Sequence, residues 1–193
     1  MLPGRETNTF RGSILFSAPR EGKHMMVLET PRLVLRQLTP DDLEAVVALY
    51  SDPVVMASKG GVRSPEQTEQ HFNGYLEEYR SVGYCFWAAI HRSHHLFIGL
   101  CGLLDQQDVG GQAQVEIAYT LAKAYWNQGL ATEAAMACKD YGFQHLGRKR
   151  FVSLIAPDNL PSQRVALKNG MAYEKDVVDK KGRTMRVYAV HRA

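Results

Sequence analysis

Two short stretches hold residues whose types and spacing suit chemistry. In "WNQGLATEAA", Trp126 to Ala135, one glycine stands directly ahead of a run of good helix formers. The first N–H groups of a helix have no partner inside it and lie at the positive end of its dipole. Gly129 with Leu130 onward therefore makes an anion site, for which phosphate is the obvious guest. No Gly-Lys-Ser/Thr follows Gly129, so this is not a Walker A loop, and it is not Gly-x-Gly-x-x-Gly. In "VEIAY", Val115 to Tyr119, Glu116 is a lone carboxylate in a stretch otherwise suited to burial, which makes it a candidate proton acceptor. Strand alternation puts Gln114, Glu116 and Ala118 on one side and Val115, Ile117 and Tyr119 on the other. The same alternation also allows Glu116 to be an ordinary polar residue on a solvated face.

Other reactive residue types point nowhere specific. His91, His94 and His95 share "HRSHH", but no carboxylate or cysteine completes a ligand pattern; an exposed hairpin turn is expected, and no metal. Cys85, Cys101 and Cys138 have no Cys-x-x-Cys spacing and lie in apolar or helical contexts, which suits a reducing, cytoplasmic compartment. Cys138 reads as a small buried residue rather than a nucleophile. A net charge of +3 with scattered charges gives no reason to expect direct nucleic-acid binding. No stretch approaches the roughly 18 apolar residues of a membrane-spanning helix, so no membrane partner is expected.

The elements that must position these residues follow from pattern. At 193 residues the chain suits one domain, burying roughly two thirds of its extended surface. Residues 1–26 look unpatterned and are expected to be a flexible leader or extension, with the domain over 27–193. "RLVLRQL" (Arg32 to Leu38) is a strand, and "TPDD" starts a helix with Thr39 as N-cap and Pro40 at N1. "SPEQ" starts another, with Ser64 as cap and Gln67 closing a capping box. Phe72, Tyr75, Leu76 and Tyr79 then form one stripe. Three strands follow as an antiparallel meander: Tyr84 to Ile90, Leu96 to Leu104 and Ala113 to Leu121. After the glycine turn and its helix comes "RFVSLIA", Arg150 to Ala156, apolar enough to be buried on both faces. A short helix from about Pro161 to Lys168 and a terminal hairpin about "DKKG" complete a mixed α+β sheet with helices against it.

This order of elements resembles the GNAT superfamily of acyl-CoA-dependent N-acyltransferases, and "LETPRLVLRQLTPDD" resembles its RimJ/RimL-like branch. The resemblance covers roughly Val27 to Arg192 and implies a single-domain GNAT-like fold splayed between the fourth and fifth strands. It implies acetyl-CoA as cofactor and transfer of its acetyl group to a primary amine, either a protein N-terminus or a small molecule, by a monomer or homodimer. The superfamily's Gln/Arg-x-x-Gly-x-Gly/Ala loop is matched by Trp126 to Ala131, departing at Trp126. Cofactor contacts are implied for Ile117, Ala118 and Tyr119, for Asn127, Gln128, Gly129, Leu130, Ala131 and Thr132, and for Asn159, Ser162 and Lys168. Many members carry a tyrosine general acid where this chain has Ala166, so Ser162 is implied as the substitute that faces the sulfur.

The chemistry sets the remaining requirements. An attacking amine must be neutral, so a proton acceptor is needed on one side, with donors near the oxygen and sulfur on the other. Glu116 is the base candidate, and the N–H of Ile117 or of a nearby residue is the implied oxyanion donor if the strand splays open there. A thiolate with pKa near 8.5 leaves largely unaided, which favours direct transfer in a ternary complex. The acceptor pocket is expected from Tyr75, Tyr79, Tyr84 and Trp87, with Phe86, residues equally suited to a core. Two readings from other classes stay open: a non-catalytic acyl-CoA sensor, suggested by Ala166, and a structural or interaction domain.

Overall fold

In a computed structural model of the chain, residues 26–192 are described, with side chains from Leu28 onward. Apart from Met26, the expected leader lies outside them. Eight strands form one mixed sheet in the order β1-β2-β3-β4-β5-β6-β8-β7. They are β1 (Met26–Glu29), β2 (Leu33–Gln37), β3 (Phe86–His91), β4 (Leu96–Gln106), β5 (Gln114–Leu121), β6 (Arg150–Ile155), β7 (Ala172–Val178) and β8 (Thr184–His191). The meander β3-β4-β5 is antiparallel, with one register shift between Ala89 and Ile90 and with Leu104 opposite Glu116.

Helices α1 (Leu43–Ser51), α2 (Pro53–Met56) and α3 (Pro65–Ser81) pack on one face, α4 (Leu130–Gln144) and α5 (Leu160–Lys168) on the other. α3 starts where the sequence predicts. The Gln67 N–H donates to Ser64 Oγ at 3.2 Å and the Ser64 N–H to Gln67 Oε1 at 3.0 Å, satisfying two otherwise orphaned donors. The expected helix at Thr39 divides: a 3-10 turn covers Pro40–Asp42 before α1 begins. Asp42 is buried in that turn and held by Arg36 through two 2.7 Å hydrogen bonds. Helix α2, which Asp52 caps by accepting from the Val54 N–H at 2.8 Å, and the turn Ala57–Lys59 behind it are additions to the elements expected from sequence.

One core lies under α4 and α5 and includes Trp87, Leu130, Ala134, Phe151 and Ala166. The other lies under α1–α3 and includes Val46, Tyr50, Met56, Phe72 and Phe86. Between these layers the sheet comes apart at one place. β5 and β6 are parallel and pair only at Glu116 and Val152, whereas β6 and β8 pair along their whole length. These are the fourth and fifth strands of the sequence reading, since β1 adds one strand at the edge. Among the described residues no helix is long and apolar enough to cross a membrane.

Candidate functional site

The loop before α4 is shaped by left-handed residues at both ends of Gln128. Asn127 has φ 58° and Gly129, the N-cap, φ 77°. Leu130 is 1% exposed and drives the helix start into the core, while no side chain caps the N-terminus. The first amides of α4 are thus fixed in place and left open to a guest, the physical requirement for an anion cradle. Trp126 has a structural reason: its indole Nε1–H donates to the Leu121 carbonyl at 2.7 Å, tying the loop to the end of β5.

A second support comes from far away in sequence. Arg32 donates from Nη1 to the Gln128 carbonyl at 2.7 Å and from Nε to Glu133 Oε2 at 2.6 Å, while its backbone N–H donates to Glu133 Oε1 at 2.9 Å. Thr30 Oγ1 donates to the same oxygen at 2.6 Å. Burial would raise the Glu133 carboxyl, but these hydrogen bonds and the Arg32 charge hold it below its ordinary value. The clasp also neutralises a carboxylate that would otherwise oppose an anion at this helix end.

Where β5 and β6 diverge, a cleft of about 420 Å³ opens through the sheet, lined by Glu116 to Thr120 on one strand and Ser153 to Ile155 on the other. Asn159 and Ser162 complete its α5 wall. Ala118 packs toward α1–α3, while Ile117 and Tyr119 pack toward α4 and α5, so alternation turns Glu116 toward α1–α3. Its Oε2 accepts from Gln106 Nε2 at 2.7 Å and its Oε1 from the Leu154 N–H at 3.2 Å. Burial pushes the Glu116 carboxyl above its ordinary value, opposed by the Leu154 N–H, the Lys59 charge and Gln106. A carboxylate so placed is a stronger base than a solvated one, yet its oxygens remain hydrogen-bonded.

The open edge of β5 is directed at this space. Ser153 Oγ donates to the Ile117 carbonyl at 2.8 Å and Lys59 Nζ to the Tyr119 carbonyl at 3.0 Å, so both carbonyls point away from β4. The N–H and C=O of one strand residue share an edge. Ile117 lies beside the single pairing point; Tyr119, two residues beyond it, presents its N–H where the strands have parted. On the α5 wall, Asn159 Oδ1 accepts from the Ser162 N–H at 3.2 Å, and its Nδ2 donates to Ser58 Oγ at 3.0 Å. Tyr119 reaches across with its hydroxyl, donating to the Ser162 carbonyl at 3.3 Å. Ala166 is 2% exposed and belongs to the core.

The expected aromatic acceptor set divides. Tyr75 and Phe86 line the cleft, packed edge to face with centroids 5.2 Å apart. Trp87 lies in the core under α4, edge-on to Tyr141, because its strand position turns it to the opposite face. Tyr84 is buried on that same side, where its hydroxyl donates to Asp105 and accepts from Arg148. Tyr79 bridges layers, with its hydroxyl on the Phe86 carbonyl and the Leu38 N–H. None of these three lines the cleft. Lys168 is exposed at the last turn of α5 and is likewise not in its wall. In their place stand Lys59 and Arg63 from the segment between α2 and α3, and Lys181 and Arg183 from the β7–β8 turn. For Lys59 the sequence signal is "SKGG", Ser58 to Gly61, a polar turn between helices, and Arg63 lies two residues beyond it.

Comparison with known proteins agrees with this geometry. Residues 32–172 match the acetyltransferase (GNAT) domain family. The chain is 36% identical over 151 residues to the uncharacterized protein YkkB of Bacillus subtilis, covering 78% of this chain and 87% of that protein. A GNAT-family acetyltransferase structure from Bacillus anthracis aligns with a TM-score of 0.69 at 27% identity, covering 84% of this chain and 96% of that one. A RimL ribosomal L7/L12 α-N-protein acetyltransferase in complex with coenzyme A has the same fold, with a TM-score of 0.69 at 19% identity over 84% of this chain and 95% of that one. With its splayed sheet and open helix terminus in register with the matched region, the chain belongs to the GNAT acetyltransferase family.

Proposed function

We propose that the protein transfers the acetyl group of acetyl-CoA to a primary amine, on a small molecule or at a protein N-terminus as in RimL, by direct attack. The observation that carries this reading is Glu116, hydrogen-bonded in a cleft whose other wall is the open edge of β5 and the first turn of α5. The residues fit the cofactor. The uncapped α4 terminus, with Asn127 to Thr132 around it, suits a pyrophosphate, and the parted strands suit an extended arm hydrogen-bonded along Ile117 to Tyr119. Once bound, acetyl-CoA supplies a thioester carbonyl and a thiolate leaving group.

This chain's residues would do the rest. Glu116 attracts the ammonium form of the amine and accepts its proton, directly or through water, as the new C–N bond forms and the C–S bond breaks. Amides at the open β5 edge face the oxygen on which charge develops, Tyr119 being the first beyond the pairing point. Ser162 orients the sulfur by hydrogen bonding, and Asn159 fixes the turn that holds Ser162. A second reading, a non-catalytic acyl-CoA sensor, is favoured by one observation: Ala166 fills core at the position where the family resemblance implies a tyrosine acid.

Thiol release from acetyl-CoA over an amine library that includes Ala- and Ser-starting peptides, paired with calorimetric titration by CoA, tests both. Turnover supports the enzyme. Binding without turnover of any amine supports the sensor, and a titration without heat or displacement removes both.

A further inference from the structure

The acceptor side of the cleft has a charge pattern that the transfer reaction does not require. Lys59, Arg63, Lys180, Lys181 and Arg183 line it, against only Asp108, Glu116 and Asp179. Every one of those carboxylates is already engaged. Asp179 is closed by Arg183 at 2.6 Å and by the N–H groups of Lys181 and Arg183. Asp108 accepts from the Gly111 N–H at 2.8 Å, and Glu116 accepts from Gln106 and Leu154. The cations are less well matched. Lys59 donates to the Tyr119 carbonyl, with burial pulling its pKa down and Glu116 as the opposite charge beside it, whereas the Arg63 guanidinium lies 4.5 Å over the Tyr50 ring with no carboxylate partner among the described residues.

Two distant segments bring these charges to one mouth. A Cβ placed on Gly60 would lie 2.6 Å from Arg183 Nη1 and 3.9 Å from Lys181 Nζ, so the β7–β8 turn closes over the turn behind α2. His71 on α3 registers the resulting field: burial lowers its pKa first, and the Arg63 and Lys181 charges lower it further.

A cationic cleft repels polycations and concentrates anions, and Arg and Lys are the natural partners of carboxylate and phosphate oxygens. An amine acceptor arrives as a cation, and among the described residues Glu116 is the buried carboxylate where β5 and β6 part, with acceptor capacity left beyond its two present donors. The amine is therefore drawn in if its other end is negative. The size agrees, since about 420 Å³ must hold the thioester end as well as the acceptor, which leaves room for a small molecule. We infer that the acceptor is a small amine bearing a carboxylate or phosphate group, with its amine at Glu116 and its anion at Arg63 and Lys181. This inference rests on the acetyl-transfer reading and deepens it.

The test compares matched pairs in full-length protein: amino acids against their amides, and 2-aminoethyl phosphate against 2-aminoethanol, with spermidine as the polycation and Ala- and Ser-starting peptides as protein-like acceptors. Acetyl-CoA turnover is read as kcat/KM. The expected result is at least a tenfold preference for the anionic member of one pair, the pair itself separating carboxylate from phosphate. The preference should shrink to about twofold in the Arg63→Met, Lys181→Met double variant while CoA affinity stays within about twofold. Equal use of both members, a preference for spermidine or for the peptides, or an equal loss on all amines in the double variant overturns it. Should no amine turn over, calorimetric binding of the N-acetyl amino acids against their amides to CoA-loaded protein decides the same point: tighter binding of the acids supports the inference, and no difference overturns it. Failure of CoA itself to bind sinks the acetyl-transfer reading, and the inference with it, and is seen separately in the CoA titration.

Discussion

The two walls of the cleft are built by different means. On the side of α4 and α5 the surface is backbone and small side chains: the open edge of β5, Asn159 and Ser162 in the cleft, and the amides ahead of Leu130 outside its lining. On the side of α1–α3 it is long charged and aromatic side chains from segments distant in sequence, Glu116, Lys59, Arg63, Tyr75 and Lys181. In the proposed reaction, backbone amides at a helix end recognise what any acyl-CoA shares through a short local motif, and side chains assembled across the fold recognise what differs between acceptors. One surface can stay fixed while the other changes, and substitutions on the two sides should separate cofactor affinity from turnover.

The largest expected effect is on the acceptor side. Glu116→Gln should lower kcat by about 10²- to 10⁴-fold, the range for removing a positioned general base, with CoA affinity within about twofold by calorimetry. Its pH profile carries the sign. The Glu116 carboxyl is raised by burial, so wild-type turnover is present above that raised value and lost as pH falls through it, a step the variant should lack. Stability runs the other way. A carboxyl raised on folding contributes most below its unfolded pKa and loses that contribution as pH rises through the folded one, so Glu116→Gln should melt no lower than wild type at neutral pH.

On the cofactor side, Gly129→Val forces a β-branched residue to φ 77°. At about 1–3 kcal/mol of strain it should weaken CoA binding about 10- to 100-fold, with little effect on kcat at saturating CoA. An equal loss of kcat in this variant and of CoA affinity in Glu116→Gln would erase the distinction between the walls. Trp87→Phe sharpens the boundary of the acceptor wall. It should cost about 1–2 kcal/mol in denaturant melts, as a large-to-small change in a core, and leave the acceptor KM unchanged. Smallest is Arg32→Ala, which removes a side chain that is 45% exposed. An exposed pair of this kind is worth about 1 kcal/mol or less, so CoA affinity should fall by about two- to fivefold.

Legibility followed the same division. The α3 capping box, the meander, the buried fifth strand of the reading and the glycine turn could all be read, because each is a local pattern in which neighbours in sequence are neighbours in space. The splay could be expected only through family resemblance, since nothing in "VEIAY" or "RFVSLIA" states where two strands stop pairing. The aromatic residues were read by type. Tyr75 and Trp87 look alike to composition, but Trp87 turns to the α4 face and Tyr75 to the cleft. The Arg32–Glu133 clasp spans 101 residues and left no local trace.

By itself the sequence determined most of the elements, the glycine-led helix terminus and the carboxylate in a strand, because hydrogen-bond geometry and side-chain periodicity act over a few residues. The tertiary structure alone decided what surrounds that carboxylate. Lys59 and Lys181 line one cleft only because the turn behind α2 and the β7–β8 turn pack together. Charge–charge and burial terms depend on distance in space, and more than a hundred residues of chain separate those two cations.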